Sequence, residues 1–152
     1  MKNVLFVCTG NSCRSVMAEG LFKKIAKERG RELSVSSAGI SASEGFPPTE
    51  ETIRVMEEEG IDVSSHRSRR LTVPMIQAAD KIFVMERLHK DWILRLAPEA
   101  KDKVKLLAEF SDGHSSGAME IDVPDPIRMS DTFYRNTLSL IRTCVQNIAE
   151  EL

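Results

Sequence analysis

The chain has 152 residues, 21 Lys and Arg against 23 Asp and Glu, and a formal net charge of -2. A chain of this length is expected to fold as one domain, residues 1–152, burying roughly 68–70% of the surface its unfolded form exposes without help from disulfides or a metal. Balanced charge with one Trp and one Tyr excludes the basic, aromatic-rich surface of a nucleic-acid binder, and no apolar run approaches the roughly 20 residues of a membrane span.

Asn3 to Val7 is a β-branched and aromatic run that meets Cys8-Thr9-Gly10-Asn11-Ser12, the pattern of a buried strand followed by a turn. From Ser15 to Arg29, Met17, Leu21, Phe22, Ile25 and Ala26 recur at helical spacing, with Ser15 as the expected cap and Gly30 as the stop. Leu33 to Ser37 is a second strand, paired with the first. A second helix starts at Thr49 and closes at Gly60. Leu71-Thr72-Val73-Pro74 gives a cap and a first turn running to Ala79. Lys81 to Met85 is the third strand and Leu88 to Leu96 a helix, with Trp92 assigned to the core along with the Met residues. Lys103 to Leu107 is the fourth strand, Phe110 to Glu120 a loop, and Ser130 to Leu152 a long final helix. Strands alternating with helices imply right-handed crossovers and an open, mostly parallel sheet covered on both faces. Ligands bind such sheets beyond the carboxyl ends of the strands.

The end of the first strand carries Cys8-Thr9-Gly10-Asn11-Ser12-Cys13-Arg14-Ser15 and runs into an amphipathic helix. A loop entering a helix this way turns backbone N–H groups toward its centre and forms an anion site. Gly10 and Asn11 are the residues expected to tolerate the positive φ this needs. Neither nucleotide-binding glycine pattern fits. Cys8 and Arg14 bracket the loop as C-x5-R, placing a nucleophile at the base and a planar guanidinium at the rim of one phosphate site. The helix N-terminus, Arg14 and the loop amides favour a thiolate at Cys8, and Ser15 is placed to donate a hydrogen bond to it. Three cysteines, two of them in this loop, do not make a secreted disulfide framework, and Val4 to Val7 is too short for a signal-peptide core. A cytoplasmic location is expected. On residues alone, Asp125-Pro126 reads as a turn, and Asp112 and Asp122 are further carboxylates in the same stretch. Cys13 reads either as a small packing residue or as the thiol that traps an oxidised Cys8. Cys144 reads as buried.

Together, Val7 to Ser15, Met17-Ala18-Glu19, Ser37-Ala38-Gly39, Ser65-His66-Arg67 through Leu71-Thr72, and Asp125-Pro126 resemble the low-molecular-weight protein tyrosine phosphatases over nearly the whole chain. The resemblance implies a three-layer α/β fold with a four-stranded parallel sheet, helices on both faces and the phosphate loop after the first strand. It implies two-step hydrolysis of phosphotyrosine-type esters through phosphocysteine, on phosphorylated protein substrates, by a monomer using no cofactor and no metal. Cys8, Arg14 and Asp125 would be catalytic, with Asp125 as acid and then base. Thr9, Gly10, Asn11, Ser12, Cys13, Arg14 and Ser15 would bind phosphate, while Ser37 and His66 would orient Asn11.

Two features depart from that pattern. Ser12 stands where a bulky aliphatic is usual, and Ile127 and Arg128 follow the Asp-Pro pair where aromatics are usual. Related arginine phosphatases carry Thr at the Ser12 position, which makes phosphoarginine the alternative substrate. Phe46 is a candidate replacement wall, and Arg67, Arg69, Arg70 and Arg128 are basic residues available to acidic peptides. The related arsenate reductases need a further cysteine pair, of which only Cys144 is present. A phosphate-binding module without hydrolysis is a third reading, and it would not need Asp125.

Overall fold

The structure is a computed structural model and describes residues 2–111 and 122–152. Alternation along β1 (Lys2–Cys8) sets the layers. Val4 and Phe6 enter one apolar layer, shared with Phe22, Phe83, Tyr134 and Ile141. Leu5 and Val7 enter the other, with Ile76, Ile82, Val84, Ile93 and Leu106. The first layer is closed by α1 (Arg14–Glu28) and α5 (Asp131–Glu151), the second by α3 (Val73–Ala78) and α4 (Arg87–Leu96).

Among the described residues the sheet has four strands, all parallel, in the order β2-β1-β3-β4, with β2 at Leu33–Gly39, β3 at Lys81–Val84 and β4 at Val104–Leu106. β2 pairs with β1 as expected, and the register sets Cys8 beside Gly39. Burial on both faces suits strands this rich in Val, Ile and Phe. Phe6 stacks on Phe83 and meets the edge of Phe22, and Phe83 meets Phe110, which ties α1 to the sheet. α2 (Glu50–Glu57) is capped by Thr49, whose hydroxyl accepts the Thr52 N–H. Exposed Arg54–Asp131 and Arg135–Glu58 pairs link it to α5, each worth little alone.

Some sequence expectations are corrected. β4 is shorter than Lys103 to Leu107, because Lys103 turns its Nζ to the Ile76 and Ala79 carbonyls that end α3 and Leu107 starts a 3₁₀ turn. A second 3₁₀ turn at Pro98–Lys103 was not anticipated. Trp92 is not in the core: it is 40% exposed, because the helical phase of α4 turns Ile93 inward instead. Met17, Met56 and Met85 are buried, whereas Met129 is exposed. Cys144 is buried on α5, as expected. The loop expected over 110–120 lies outside the described residues except at its start, where Phe110 ends a 3₁₀ turn. No described helix is long and apolar enough to cross a membrane.

Candidate active site

The carboxyl end of β1 delivers Cys8 to the edge of the sheet, and the chain then loops through residues 9–13 into α1. β2 braces this loop at close range. Ile40 N–H donates to the Cys8 carbonyl at 3.0 Å and Ser41 N–H to that of Thr9 at 2.9 Å. A Cβ on Gly39 would lie 2.6 Å from the Thr9 oxygen and 2.8 Å from the Asn11 nitrogen, so only glycine lets the two backbones approach. Of the two residues expected at positive φ, only Asn11 takes it, at 54°. Gly10 does not, and a Cβ there would meet only the Ser12 hydroxyl, at 3.5 Å.

Ser15 is not the helix cap. Cys13 holds that position and makes no side-chain capping bond, while the Ser15 hydroxyl lies 2.9 Å from the Cys8 sulfur. The reason is visible in the donor order. Asn11 Nδ2 donates to Ser15 Oγ at 2.8 Å and to Ser37 Oγ at 2.9 Å, and Ser37 donates onward to Glu19 Oε1 at 2.6 Å. With a lone pair of Ser15 Oγ engaged by Asn11, its O–H is directed at the sulfur. Asn11 N–H also donates to Cys8 Sγ, at 3.2 Å. The buried sulfur is thus met by donors, the environment a thiolate needs. On the other side of the amide, Asn11 Oδ1 accepts from Arg69 N–H at 2.9 Å and from His66 Nε2 at 3.2 Å. Burial lowers the His66 imidazole from its ordinary value despite nearby Glu19. Ser37 and His66 therefore both meet Asn11, and Glu19 and Arg69 join them.

The Arg14 side chain is only 2% exposed. Its Nη1 donates to Glu86 Oε2 at 2.7 Å and to the Val123 carbonyl at 2.9 Å. Nε is buried with no partner among the described residues, and Nη2 lies 3.6 Å from Asp125 Oδ2. Nη1 is thus anchored twice, whereas the edge made by Nε and Nη2 has only the more distant Asp125 oxygen. Burial alone would lower the guanidinium, but the Cys8 sulfur, Glu86 and Asp125 outweigh it and push it up.

The structure brings Asp125 to this rim with its side chain 40% exposed, its Oδ1 accepting from Ile127 N–H at 3.1 Å. The Cys13 sulfur is 3.8 Å from the same oxygen. Burial, then Cys8 and Asp125, push the Cys13 thiol up to about 12, so it stays protonated and donates. No disulfide joins Cys8 to Cys13. Asp122 is occupied elsewhere, accepting the Arg87 N–H at 2.8 Å at the start of α4, and Asp112 lies outside the described residues. Arg67 folds onto the Ser64 and His66 carbonyls, while Arg70 pairs its backbone with Glu44 and Gly39. Of the basic cluster, then, Arg69 braces the loop directly.

Sequence reasoning missed Glu86 and His89, which follow β3. Thr9 Oγ1 lies 2.9 Å from His89 Nε2. It also missed the second helix as a brace: Thr49 N–H donates to the Ser12 carbonyl at 3.1 Å, and its hydroxyl meets Tyr134 at 3.2 Å. The Glu-x-x-His spacing at a helix start was the available signal for the β3 turn; nothing in the sequence pointed to Thr49. Ser12, Gly10, Ser41, Ser43, Phe46 and Ser68 line a recess of about 290 Å³ beside the loop. No group of three or more His, Cys, Asp or Glu suited to a metal occurs among the described residues.

Burial and then Arg14 lower His89 to about 4. Between about pH 6.5 and 4 the unfolded chain therefore binds the proton and the folded chain does not, so stability falls as pH drops through this window. For His89 the loss is on the order of 3 kcal/mol. Thermal melts should show Tm falling across that interval, with a shallower fall in His89→Gln.

Three comparisons bear on this geometry. The family model described as low molecular weight phosphotyrosine protein phosphatase matches residues 3–152. The low molecular weight protein-tyrosine-phosphatase Ptp of Acinetobacter johnsonii is 38% identical over 95% of this chain and 93% of its own. The protein-arginine-phosphatase of Bacillus subtilis is 36% identical over 99% and 96%. A crystal structure of a low molecular weight protein tyrosine phosphatase from T. tengcongensis superposes with a TM-score of 0.91 at 37% identity, over the whole of both chains. A four-stranded parallel sheet, a cysteine loop leading into α1, and a full-length match place this chain in the low molecular weight protein tyrosine phosphatase family.

Proposed function

We propose that the chain hydrolyses phosphorylated protein side chains, phosphotyrosine first, with Cys8 as nucleophile, Arg14 as transition-state clamp and Asp125 as acid and base. The observation that carries this is the pairing of a donor-met sulfur with a buried Arg14 whose Nε has no partner among the described residues. Cys8 sulfur attacks phosphorus, the phosphorus–oxygen ester bond breaks, and Asp125 passes its proton to the leaving oxygen. Asp125 then takes a proton from water, whose oxygen attacks phosphorus, and the sulfur–phosphorus bond breaks to return the thiolate. Backbone amides from Thr9 to Ser15 and the inner edge of Arg14 hold the equatorial oxygens as charge builds on them. The Ser15 hydroxyl steadies the sulfur at both ends of the cycle. The protein acts in this reading as a cytoplasmic monomer of one domain without a cofactor. Three cysteines outside any disulfide suit a reducing compartment.

Phe46, 60% exposed, lines the recess beside Ser12 and supplies the aromatic wall that Ile127 and Arg128 do not. This favours a phenyl ring. Phosphoarginine is the second reading, favoured by the Ser12 hydroxyl, by three further serines in the same recess and by the relatives named arginine phosphatases. An arsenate-reductase relay is disfavoured by the burial of Cys144 within α5. Matched peptides bearing phosphotyrosine or phosphoarginine decide the substrate. The expected result is a higher kcat/KM for phosphotyrosine that Phe46→Ala lowers by about 2- to 12-fold, the worth of one ring contact. A preference for phosphoarginine unaffected by Phe46→Ala would assign the second reading.

A further inference from the structure

His89 is fully buried at the start of α4, well away in sequence from the loop it touches. Its Nδ1 accepts the Glu86 backbone N–H at 3.0 Å, which only an unprotonated nitrogen can do. The ring proton therefore sits on Nε2, which donates to Thr9 Oγ1 at 2.9 Å. Thr9 follows the nucleophile directly, and its carbonyl is already held by Ser41 N–H at 2.9 Å. With its carbonyl and hydroxyl both held, and the Cys8 carbonyl held by Ile40 N–H at 3.0 Å, Thr9 is fixed through the peptide planes on either side of it. The same short turn grips the loop a second time, since the Glu86 carboxylate holds Arg14 at 2.7 Å.

We infer that His89 is a positioning residue for the reaction: as a neutral imidazole locked by Glu86, it holds Thr9 and with it the first amides of the phosphate loop in the orientation that receives the phosphoryl group. This rests on the reading of the loop as the phosphoryl site. The charged groups around the ring act in opposite senses. Burial and Arg14 hold it neutral, while Asp122, Asp125 and the Glu86 carboxylate, 3.8 Å from Nε2, work the other way. A charged ring would turn an N–H of Nδ1 against the Glu86 N–H and set a second cation beside Arg14, loosening both grips together.

Thr9→Val removes the acceptor while keeping the shape, and Thr9→Ser restores it. With p-nitrophenyl phosphate, Thr9→Val is expected to lower kcat about tenfold with KM within about threefold, and Thr9→Ser to return kcat to within about twofold of wild type. A role confined to stability would lower Tm without this rescue in kcat. Nitrogen-resolved NMR of the His89 ring supplies a readout independent of turnover. It should show the neutral Nε2–H form from about pH 5 to 8, with the Nε2–H resonance moving when vanadate binds. Thr9→Val turnover within about twofold of wild type, or a ring protonated on Nδ1, would overturn the inference. If the wild type hydrolysed no phosphomonoester, the phosphatase reading would fail, and the response of the Nε2–H resonance to vanadate would still decide the contact: movement supports it and no movement refutes it.

Discussion

Cys8→Ser should reduce hydrolysis of phosphomonoesters by on the order of 10⁴-fold while vanadate still binds. The reason lies in what surrounds the sulfur. Asn11 N–H and the Ser15 hydroxyl both donate to it, and no carboxylate or imidazole is hydrogen-bonded to it among the described residues. Such a pocket offers donors to an anion but has nothing to strip a proton from a serine hydroxyl. Arg14 and the loop amides are untouched by the change, so affinity for a tetrahedral oxyanion should persist. Steady-state kinetics and vanadate titration on the same preparation separate the two effects. A serine variant retaining turnover within about tenfold of wild type would mean that the sulfur is not the nucleophile.

Asp125→Asn should lower kcat for phenyl phosphate by about 10²- to 10⁴-fold, because an alkaline leaving group needs a proton as the ester bond breaks. The loss in the first step should be much smaller for p-nitrophenyl phosphate, whose leaving group departs as a stable anion. The second step depends on the same carboxyl as base whichever ester is used. The substitution is nearly isosteric and preserves an acceptor for the Ile127 N–H, now 3.1 Å from Oδ1, so the rim should keep its shape. What disappears is a charge 3.6 Å from Arg14 and the capacity to carry a proton. Equal losses with both esters in the rate of the first step, read from the burst of released phenol, would contradict the acid role.

The parts of this site that lie along one stretch of chain were readable from sequence. The run Asn3 to Val7, the Cys8 to Arg14 spacing and the amphipathic periodicity after it are all local, and they locate the strand, the loop and the helix. Where local signals competed, the reading failed. Ser15 has the chemistry of a cap, but Cys13 takes the cap position and the Ser15 hydroxyl meets the sulfur instead. Trp92 looks like core by composition, yet its place on the α4 turn faces outward. Thr49, at the start of α2, and the pair Glu86 and His89 were missed because their approach depends on tertiary packing, for the pair on strand order. Glu86 and His89 reach the loop only because β3 lies beside β1, with Val7 opposite Val84 and Met85 N–H donating to the Val7 carbonyl at 3.1 Å. No periodicity states which strand neighbours which. Glu19 stands four residues after Ser15 on the same helical face, so its place beside Ser37 was within reach of a helical argument. Family resemblance, rather than spacing, supplied Asp125, Ser37 and His66.

Asp125→Asn offers the most direct view of the sulfur at work, since with p-nitrophenyl phosphate it should form the thiol ester of phosphate faster than it hydrolyses it. Rapid quenching in acid followed by mass spectrometry of the peptide containing Cys8 should find phosphate on that residue, and none in Cys8→Ser/Asp125→Asn. Phosphate recovered on another residue, or a burst of nitrophenol with no phosphorylated peptide, would show that phosphorus does not pass through Cys8.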